Sequence, residues 1–252
     1  MTILVVKQLD RFLGETVVAL DLIKKDQGLL IIDENVEKEK FDLIVKGTVV
    51  EKFIPVNPVA NEIYEKLTLL KTPEIEQNRS CKLSIDAFFD VKSVGSVILG
   101  LVKKGKVSAN DKLQLYPTKK LISVRSIQVH DEDVKQAGKG SRVGLALKDV
   151  SIDELERGMV LATPGSLQIE NEISVSTSFS KYYTEKVETN RVFQISIGMQ
   201  HQQGKVVGVA DKGDKKLIKF QLQTPITFEK NETVFLSDPG AKLRICGVGI
   251  VE

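Results

Sequence analysis

Apolar runs alternate with helical patterns over the first part of the chain. Three short apolar runs, typical of strands buried on both faces, lie at residues 3–6, 29–32 and, with more charge, 49–56. Apolar positions at helical spacing predict a helix at residues 14–25 and a second at residues 37–46. A third helix is predicted after the last run, with Asn57 as its N-cap and Pro58 as its first residue. This order predicts a three-stranded parallel sheet with right-handed crossovers over residues 1–75.

The rest of the chain has the pattern of short antiparallel strands. Residues 97–102, 113–116 and 143–147 are β-branched-rich or alternate apolar with polar positions between turn signals, which predicts a small barrel over residues 81–166. Alternation resumes around Phe193, Ile218, Val234 and Ile245 and predicts a second barrel over residues 168–252. The polar, non-periodic residues 72–80 are the predicted linker.

Composition excludes several classes of protein. Hydrophobic residues at 42% and charged residues at 28% are globular values, and a net charge of +2 gives no global basic field. Cys81 and Cys246 are too few and too far apart for a disulfide framework or a cysteine metal site. His130 and His201 have no metal or triad spacing, so no metal is expected. Without a long apolar run or a leader pattern, we expect a soluble, cytoplasmic protein with no membrane partner.

Five stretches of sequence in the two predicted barrels carry a resemblance to a known family. SVGSVILGLVKKGKV and ELERGMVLATPGS resemble the second, β-barrel domain of elongation factor Tu-type translation GTPases. RSIQVHDEDVKQAGKGSRVGLAL, between them, is most similar to the selenocysteine-specific elongation factors of archaea and eukaryotes. LQTPITFEKNETVFLS and AKLRICGVGIVE resemble the third domain of the same factors. The resemblance implies a truncated relative with a degenerate half GTPase domain followed by barrels of the domain II and domain III type.

The resemblance places guanine-recognition loops in residues 1–75, yet the residues needed for GTP are missing. Where the family has Asn-Lys-x-Asp, this chain has the tetrapeptide from Asp33 to Val36, and Val36 cannot accept the guanine hydrogen bonds. Asn57 stands where the last guanine loop is expected, and the phosphate loop is expected before Ile3. The octet from Gly100 to Val107 fits GxxxxGK but lacks the final hydroxyl and the following helix. We therefore predict no GTP hydrolysis and no bound cofactor.

A binding pocket on the first barrel is implied by the resemblance. In the full-length factors this barrel receives the aminoacyl end of tRNA, and the residues matching the selenocysteine pocket are Asp86 and Arg142, with Ala87 where the family has histidine. The alternative is that Asp86 and Arg142 form a structural ion pair at the barrel rim. Five further basic residues are either contacts for RNA phosphates or solvated surface: Lys103, Lys104, Lys106, Lys119 and Lys120.

The first predicted strand raises a separate question about partners. A sheet that begins at this strand leaves an apolar parallel edge open for pairing. The edge residues are Ile3, Leu4, Val5 and Val6. They predict a two-fold homodimer or a partner strand, unless another segment covers the edge.

Three functional hypotheses follow from these patterns. The first is a non-enzymatic, elongation factor-like protein that binds the tRNA acceptor end or the ribosome through its barrels. The second is an interaction or regulatory module of a full-length elongation factor that self-associates through the sheet edge. The third is a residual nucleotide hydrolase whose missing half is supplied by another chain; the absent guanine-reading carboxylate weighs against it.

Overall fold

The computed structural model describes residues 2–70 and 80–252. Its first unit is a parallel sheet in the order β1-β2-β3, with β1 (Thr2–Val6), β2 (Gly28–Ile32) and β3 (Ile54–Pro55). Helices α1 (Arg11–Leu22), α2 (Lys38–Val45) and α3 (Ala60–Leu69) follow the three strands in turn. The predicted three-stranded parallel sheet is therefore confirmed.

The boundaries in this unit differ from the sequence pattern, and local hydrogen bonds explain the differences. The carboxylate of Asp10 accepts from the Leu13 N–H and starts α1 three residues before the predicted start. The first half of the predicted third strand is a 3-10 turn (Val49–Lys52), because the Thr48 hydroxyl caps it by accepting from the Val50 N–H. Asn57 is not the N-cap of α3. Its side chain donates to Glu62 instead, and the helix begins only after Val59.

The core of the N-terminal unit lies on one side of its sheet. Leu4, Val6 and Leu30 pack with buried residues of α1 and α2. Ile3 and Val5 alternate to the other face and are exposed. Helix α3, whose apolar stripe predicted burial, contributes no buried residue. The second face of the sheet is covered only in part by the described residues: Leu29, in register with Ile3, is fully buried there, whereas Ile3 and Val5 are exposed.

The first barrel is closed by six strands. Its order is β11-β5-β4-β12-β7-β8, and pairing of β8 with β11 completes the ring. Two additions extend the barrel: β6 and β10 form a small two-stranded ribbon, and β9 pairs with β8. The strands of this segment are β4 (Lys82–Val91), β5 (Gly95–Lys104), β6 (Lys106–Ser108), β7 (Lys112–Tyr116), β8 (Lys120–Val129), β9 (Glu132–Val134), β10 (Gln136–Gly138), β11 (Arg142–Lys148) and β12 (Val160–Ala162).

The second barrel is also closed by six strands, in the order β13-β16-β15-β14-β17-β18. The alternating residues Phe193, Ile218 and Val234 are all buried in its core, as their spacing predicts. Ile245, the fourth of the alternating residues, is only half-buried, and its neighbour Cys246 lies in the core instead. The strands are β13 (Gln168–Phe179), β14 (Val192–Ile197), β15 (Gln200–Lys212), β16 (Lys215–Phe228), β17 (Thr233–Ser237) and β18 (Ile245–Val251).

Polar contacts hold the three units against one another. The barrels are joined by ion pairs from Lys82 to Glu232 at 2.6 Å and from Lys104 to Glu229 at 2.7 Å. Helix α1 contacts the segment before β18 through Glu15, whose carboxylate accepts from the Arg244 N–H at 3.0 Å. The predicted linker at residues 72–80 and the predicted end of the first domain at residue 75 lie outside the described residues, apart from Ser80. None of the helices in residues 2–70 and 80–252 is long and apolar enough to span a bilayer.

Candidate nucleic-acid interface

Asp86 and Arg142, 56 positions apart in the chain, meet on the outer surface of the first barrel. A bulge in the pairing of β4 with β5 falls between Ile85 and Ala87 and places Asp86 there. Arg142 is the first residue of β11 and lies opposite Leu101 of β5. Its Nη2 donates to Asp86 Oδ2 at 3.0 Å. Strand β5 thus separates the two residues in the sheet, and their side chains join across it.

The structure adds a third residue that the sequence pattern did not single out. Arg157 Nη2 donates to Asp86 Oδ1 at 3.2 Å. The turn that carries Arg157 is fixed beside β4, because the Gly158 N–H donates to the Ile85 carbonyl at 2.9 Å. Arg157 lies within the ELERG motif, but only the barrel closure brings it to a residue 71 positions away. We call Asp86, Arg142 and Arg157 the arginine cluster.

The electrostatics of the arginine cluster favour an anion. Two guanidinium groups share one carboxylate, which leaves an excess positive charge. The arginine side chains are 68% and 71% exposed, so the ion pairs contribute only about 0–1 kcal/mol to stability. Each guanidinium has five N–H donors, and most of them face solvent here. The cluster can therefore present planar donors to a phosphate or carboxylate.

Arg157 also lines a cleft between the two barrels. This cleft has a volume of about 610 Å³ and includes Pro117, Met159, Gln200 and His201. Gln200 is anchored by hydrogen bonds with the backbone N–H and carbonyl of Thr227. His201 Nδ1 lies 2.8 Å from the Ser196 hydroxyl, which is the local hydrogen bond expected for a histidine without metal spacing.

The lysines proposed as phosphate contacts are not equivalent in the structure. Lys104 is bound to Glu229 and Lys106 Nζ donates to Gln136 at 3.3 Å, whereas Lys103 is exposed. Lys120 is paired with Glu154, and this hydrogen bond is the main reason that the pKa of Glu154 is lowered to about 2. Lys103 lies on β5 two positions beyond Leu101, the residue opposite Arg142.

The tetrapeptide from Asp33 to Val36 makes its contacts within the N-terminal unit. The Asp33 carboxylate accepts from the backbone and side-chain amides of Asn35, and these bonds lower its pKa. Val36 packs against the core formed with α1 and α2. The GxxxxGK octet runs from β5 into β6, with no helix after it. Gly100 within it is needed for packing, since a Cβ there would lie 2.6 Å from the Ser84 carbonyl oxygen.

Metal ligands and reactive thiols are absent from the part of the chain that the structure describes. No group of three or more His, Cys, Asp or Glu side chains occurs there with metal-binding geometry. Cys81 and Cys246 are buried, and burial raises the pKa of each thiol to about 12. Both cysteines are therefore poor nucleophiles at neutral pH.

Comparison with known proteins places the barrels in a recognisable family. The family model described as "Elongation factor Tu domain 2" matches residues 95–162. "Uncharacterized protein MJ0325" of Methanocaldococcus jannaschii is 38% identical over 237 residues, which cover 94% of this chain and 75% of the relative. The selenocysteine-specific elongation factor of the same organism is 28% identical over 209 residues, covering 74% of this chain and 45% of that factor.

Solved structures share the fold over nearly the whole chain. Translation elongation factor SelB from Methanococcus maripaludis, in the apo form and in complex with the GTP analogue GppNHp, superposes with a TM-score of 0.86 at 22% identity. The match covers 99% of this chain and 64% of SelB. A bacterial selenocysteine-specific factor, EF-Sec, gives a TM-score of 0.73 at 21% identity, with coverage of 96% and 44%. This chain belongs to the same family as MJ0325 and is a relative of the selenocysteine-specific elongation factors, within the elongation factor Tu-type translation factors.

Proposed function

We propose that this protein is an elongation factor-like RNA-binding protein of the cytoplasm that holds the acceptor end of tRNA on its first barrel, without hydrolysing GTP. The observation that carries the proposal is the arginine cluster, in which two largely exposed guanidinium groups flank Asp86. These ion pairs add little to stability, so their arrangement is better suited to recognition than to holding the barrel together. A ribosomal RNA segment offers the same chemistry and is the alternative partner.

The test is a gel shift of tRNA at low salt with Arg142→Glu. Loss of a hydrogen bond from a guanidinium to a charged phosphate costs about 1.5–3 kcal/mol, so we expect binding to weaken by at least about tenfold. Arg125→Glu is the matched control, because Arg125 is exposed on the same barrel and donates only to the Val94 carbonyl among the described residues. Its binding should stay close to that of the unmodified protein. Absence of tRNA and ribosome binding at low salt would contradict the proposal.

The proposal that the protein does not hydrolyse GTP rests on the residues at the position expected for the guanine loop. Val36 packs against the core at the position where a guanine-reading carboxylate is expected, and it has no side-chain hydrogen-bond acceptor. The same preparation, titrated with GTP and Mg²⁺ in a calorimeter, should give no binding heat. Saturable GTP binding would count against this part of the proposal.

Self-association through β1 is a second candidate function, favoured by one observation. Among the described residues β1 pairs only with β2, and its side chains Ile3 and Val5 are 44% and 51% exposed. The five residues of the strand are uncharged, so an antiparallel pairing of two copies brings no like charges together. The proposed occupant of this edge is a second copy of the chain.

Light scattering at micromolar concentration tests this candidate with Val5→Lys. A lysine on an edge strand opposes pairing, so the variant should be monomeric where the unmodified protein is dimeric. Val192→Lys is the control, since Val192 is 44% exposed on the second barrel. A monomeric unmodified protein with rapid amide exchange at residues 3–6 would exclude this dimer.

A further inference from the structure

A basic cleft separates the two barrels, on the side where β5 ends. It has a volume of about 250 Å³ and five lysines line it. We call it the lysine cleft; its lysines are Lys82, Lys103, Lys104, Lys139 and Lys230. They come from both barrels, so the cleft exists only because the barrels are held in this arrangement.

Two of the five lysines are used to hold the barrels together. Lys82 binds Glu232 and Lys104 binds Glu229, and these two glutamates are the acidic residues that line the cleft. Lys103, Lys139 and Lys230 are exposed and have no carboxylate within 4.0 Å among the described residues. The five ammonium groups and two carboxylates leave an excess of three positive charges in one concave site.

The lysine cleft is continuous with the arginine cluster along the barrel surface. Lys103 is two residues along β5 from Leu101, which lies opposite Arg142. Side chains two positions apart on a strand share a face and are about 7 Å apart. Lys139 precedes Arg142 by three residues in a turn fixed by the Gly140 N–H, which donates to the Val102 carbonyl at 2.8 Å. Basic groups therefore continue from the arginine cluster into the cleft.

We propose that the lysine cleft binds the phosphates of a single-stranded RNA segment whose end lies at the arginine cluster. The inference rests on the proposed RNA-binding function and names the path of the RNA backbone. Among the described residues, no aromatic side chain lines the cleft, so it offers contacts to phosphates rather than a surface for stacking bases. Contacts of this kind are independent of base sequence and weaken as salt rises.

The experiment compares two triple variants in a fluorescence anisotropy titration of a short single-stranded RNA. The cleft variant combines Lys103→Glu, Lys139→Glu and Lys230→Glu. The control variant combines Lys25→Glu, Lys46→Glu and Lys148→Glu, which makes the same change in net charge at exposed lysines outside the cleft. Thermal unfolding of both variants is recorded to show that they fold like the unmodified protein.

We expect the cleft variant alone to lose affinity, by at least about tenfold near 50 mM salt. Each phosphate contact to single-stranded RNA contributes about 0.7 to the slope of log affinity against log salt, so losing three contacts should lower the slope by about 2. Equal losses in both triple variants would overturn the inference, because they would reflect the overall charge of the protein.

Two further arms separate failure of the inference from failure of the proposed function. If Arg142→Glu weakens RNA binding while the cleft variant binds normally, the lysine cleft is excluded and the proposed function is retained. If the unmodified protein binds no RNA, both fail. Inorganic triphosphate is added as a competitor. If the unmodified protein binds triphosphate tightly but binds no RNA, and the cleft variant does not bind triphosphate, the ligand is a free polyphosphate. That result would overturn the RNA assignment.

Discussion

Asp238→Ala is expected to lower the free energy of unfolding of the second barrel by about 3–5 kcal/mol, the usual cost of removing one partner from a buried ion pair. The Asp238 side chain is only 5% exposed. Its carboxylate accepts from the Tyr183 hydroxyl at 2.7 Å, from Arg191 Nε at 3.0 Å and from the Gly240 N–H at 3.0 Å. Alanine would leave the guanidinium and phenol without this acceptor. Urea unfolding followed by circular dichroism measures the change.

The control for this variant is Asp214→Ala, in the exposed turn between β15 and β16. A surface change of this kind should alter stability by no more than about 0.5 kcal/mol. Equal unfolding midpoints for the two variants would contradict the structural role of Asp238. Since Asp238 fixes the start of the segment that reaches Arg244, its loss should also accelerate amide exchange where that segment contacts α1.

Asp238 also makes the free energy of unfolding depend on pH in the acid range. Burial raises the pKa of its carboxyl, but hydrogen bonds from Tyr183, Arg191 and the Gly240 N–H outweigh burial and hold the pKa below its ordinary value of 3.8. As the pH falls, the Asp238 carboxyl is therefore protonated in the unfolded chain before it is protonated in the folded protein. The stabilisation is complete above pH 3.8 and is lost as the pH falls through the folded pKa, and Asp238→Ala should be less sensitive to acid in that range.

Glu232→Ala is expected to destabilise the contact between the barrels by about 3 kcal/mol. Lys82 is 8% exposed and its ammonium lies 2.6 Å from the Glu232 carboxylate, which is 21% exposed. Removing the glutamate leaves a nearly buried cation without its counter-charge. The urea midpoint of the protein and amide exchange around Lys82 measure the effect.

A paired substitution separates the ion pair from its packing. Replacing both partners, with Lys82→Met and Glu232→Leu, removes the buried charge together with its partner and should restore most of the stability, because apolar groups of similar size often replace a buried ion pair without loss. If the double variant is as unstable as Glu232→Ala alone, the unpaired ammonium is not the cause. The double variant also tests whether the lysine cleft keeps its shape without this pair.

The candidate site could be predicted from the sequence only in part. Asp86 and Arg142 were identified through resemblance to a family motif, and the structure brings them together at 3.0 Å. Arg157 was missed, because no local pattern relates it to a residue 71 positions away. The lysine cleft was missed for the same reason: Lys103 and Lys139 lie on one barrel and Lys230 on the other.

Local periodicity determined the architecture. Short continuous apolar runs indicated a parallel sheet. Alternation of apolar and polar positions between Gly, Asn and Pro turns indicated the two barrels that follow it. Element ends were less predictable, because Asp10, Thr48 and Asn57 each have several possible hydrogen-bond partners and the folded chain selects one. Periodicity also predicted burial for the apolar stripe of α3, but Ile63 and Leu67 in that stripe are only half-buried in the described structure.

The sequence by itself therefore determined which segments become strands and helices, since that choice depends on neighbours a few positions apart. Only the tertiary structure decided which charges meet. The Asp86–Arg157 and Lys82–Glu232 pairs join residues 71 and 150 positions apart, and their distances depend on barrel closure and on how the barrels pack. Charge recognition on this protein is consequently a property of the assembled surface, because electrostatic contact depends on distances in space rather than on separation along the chain.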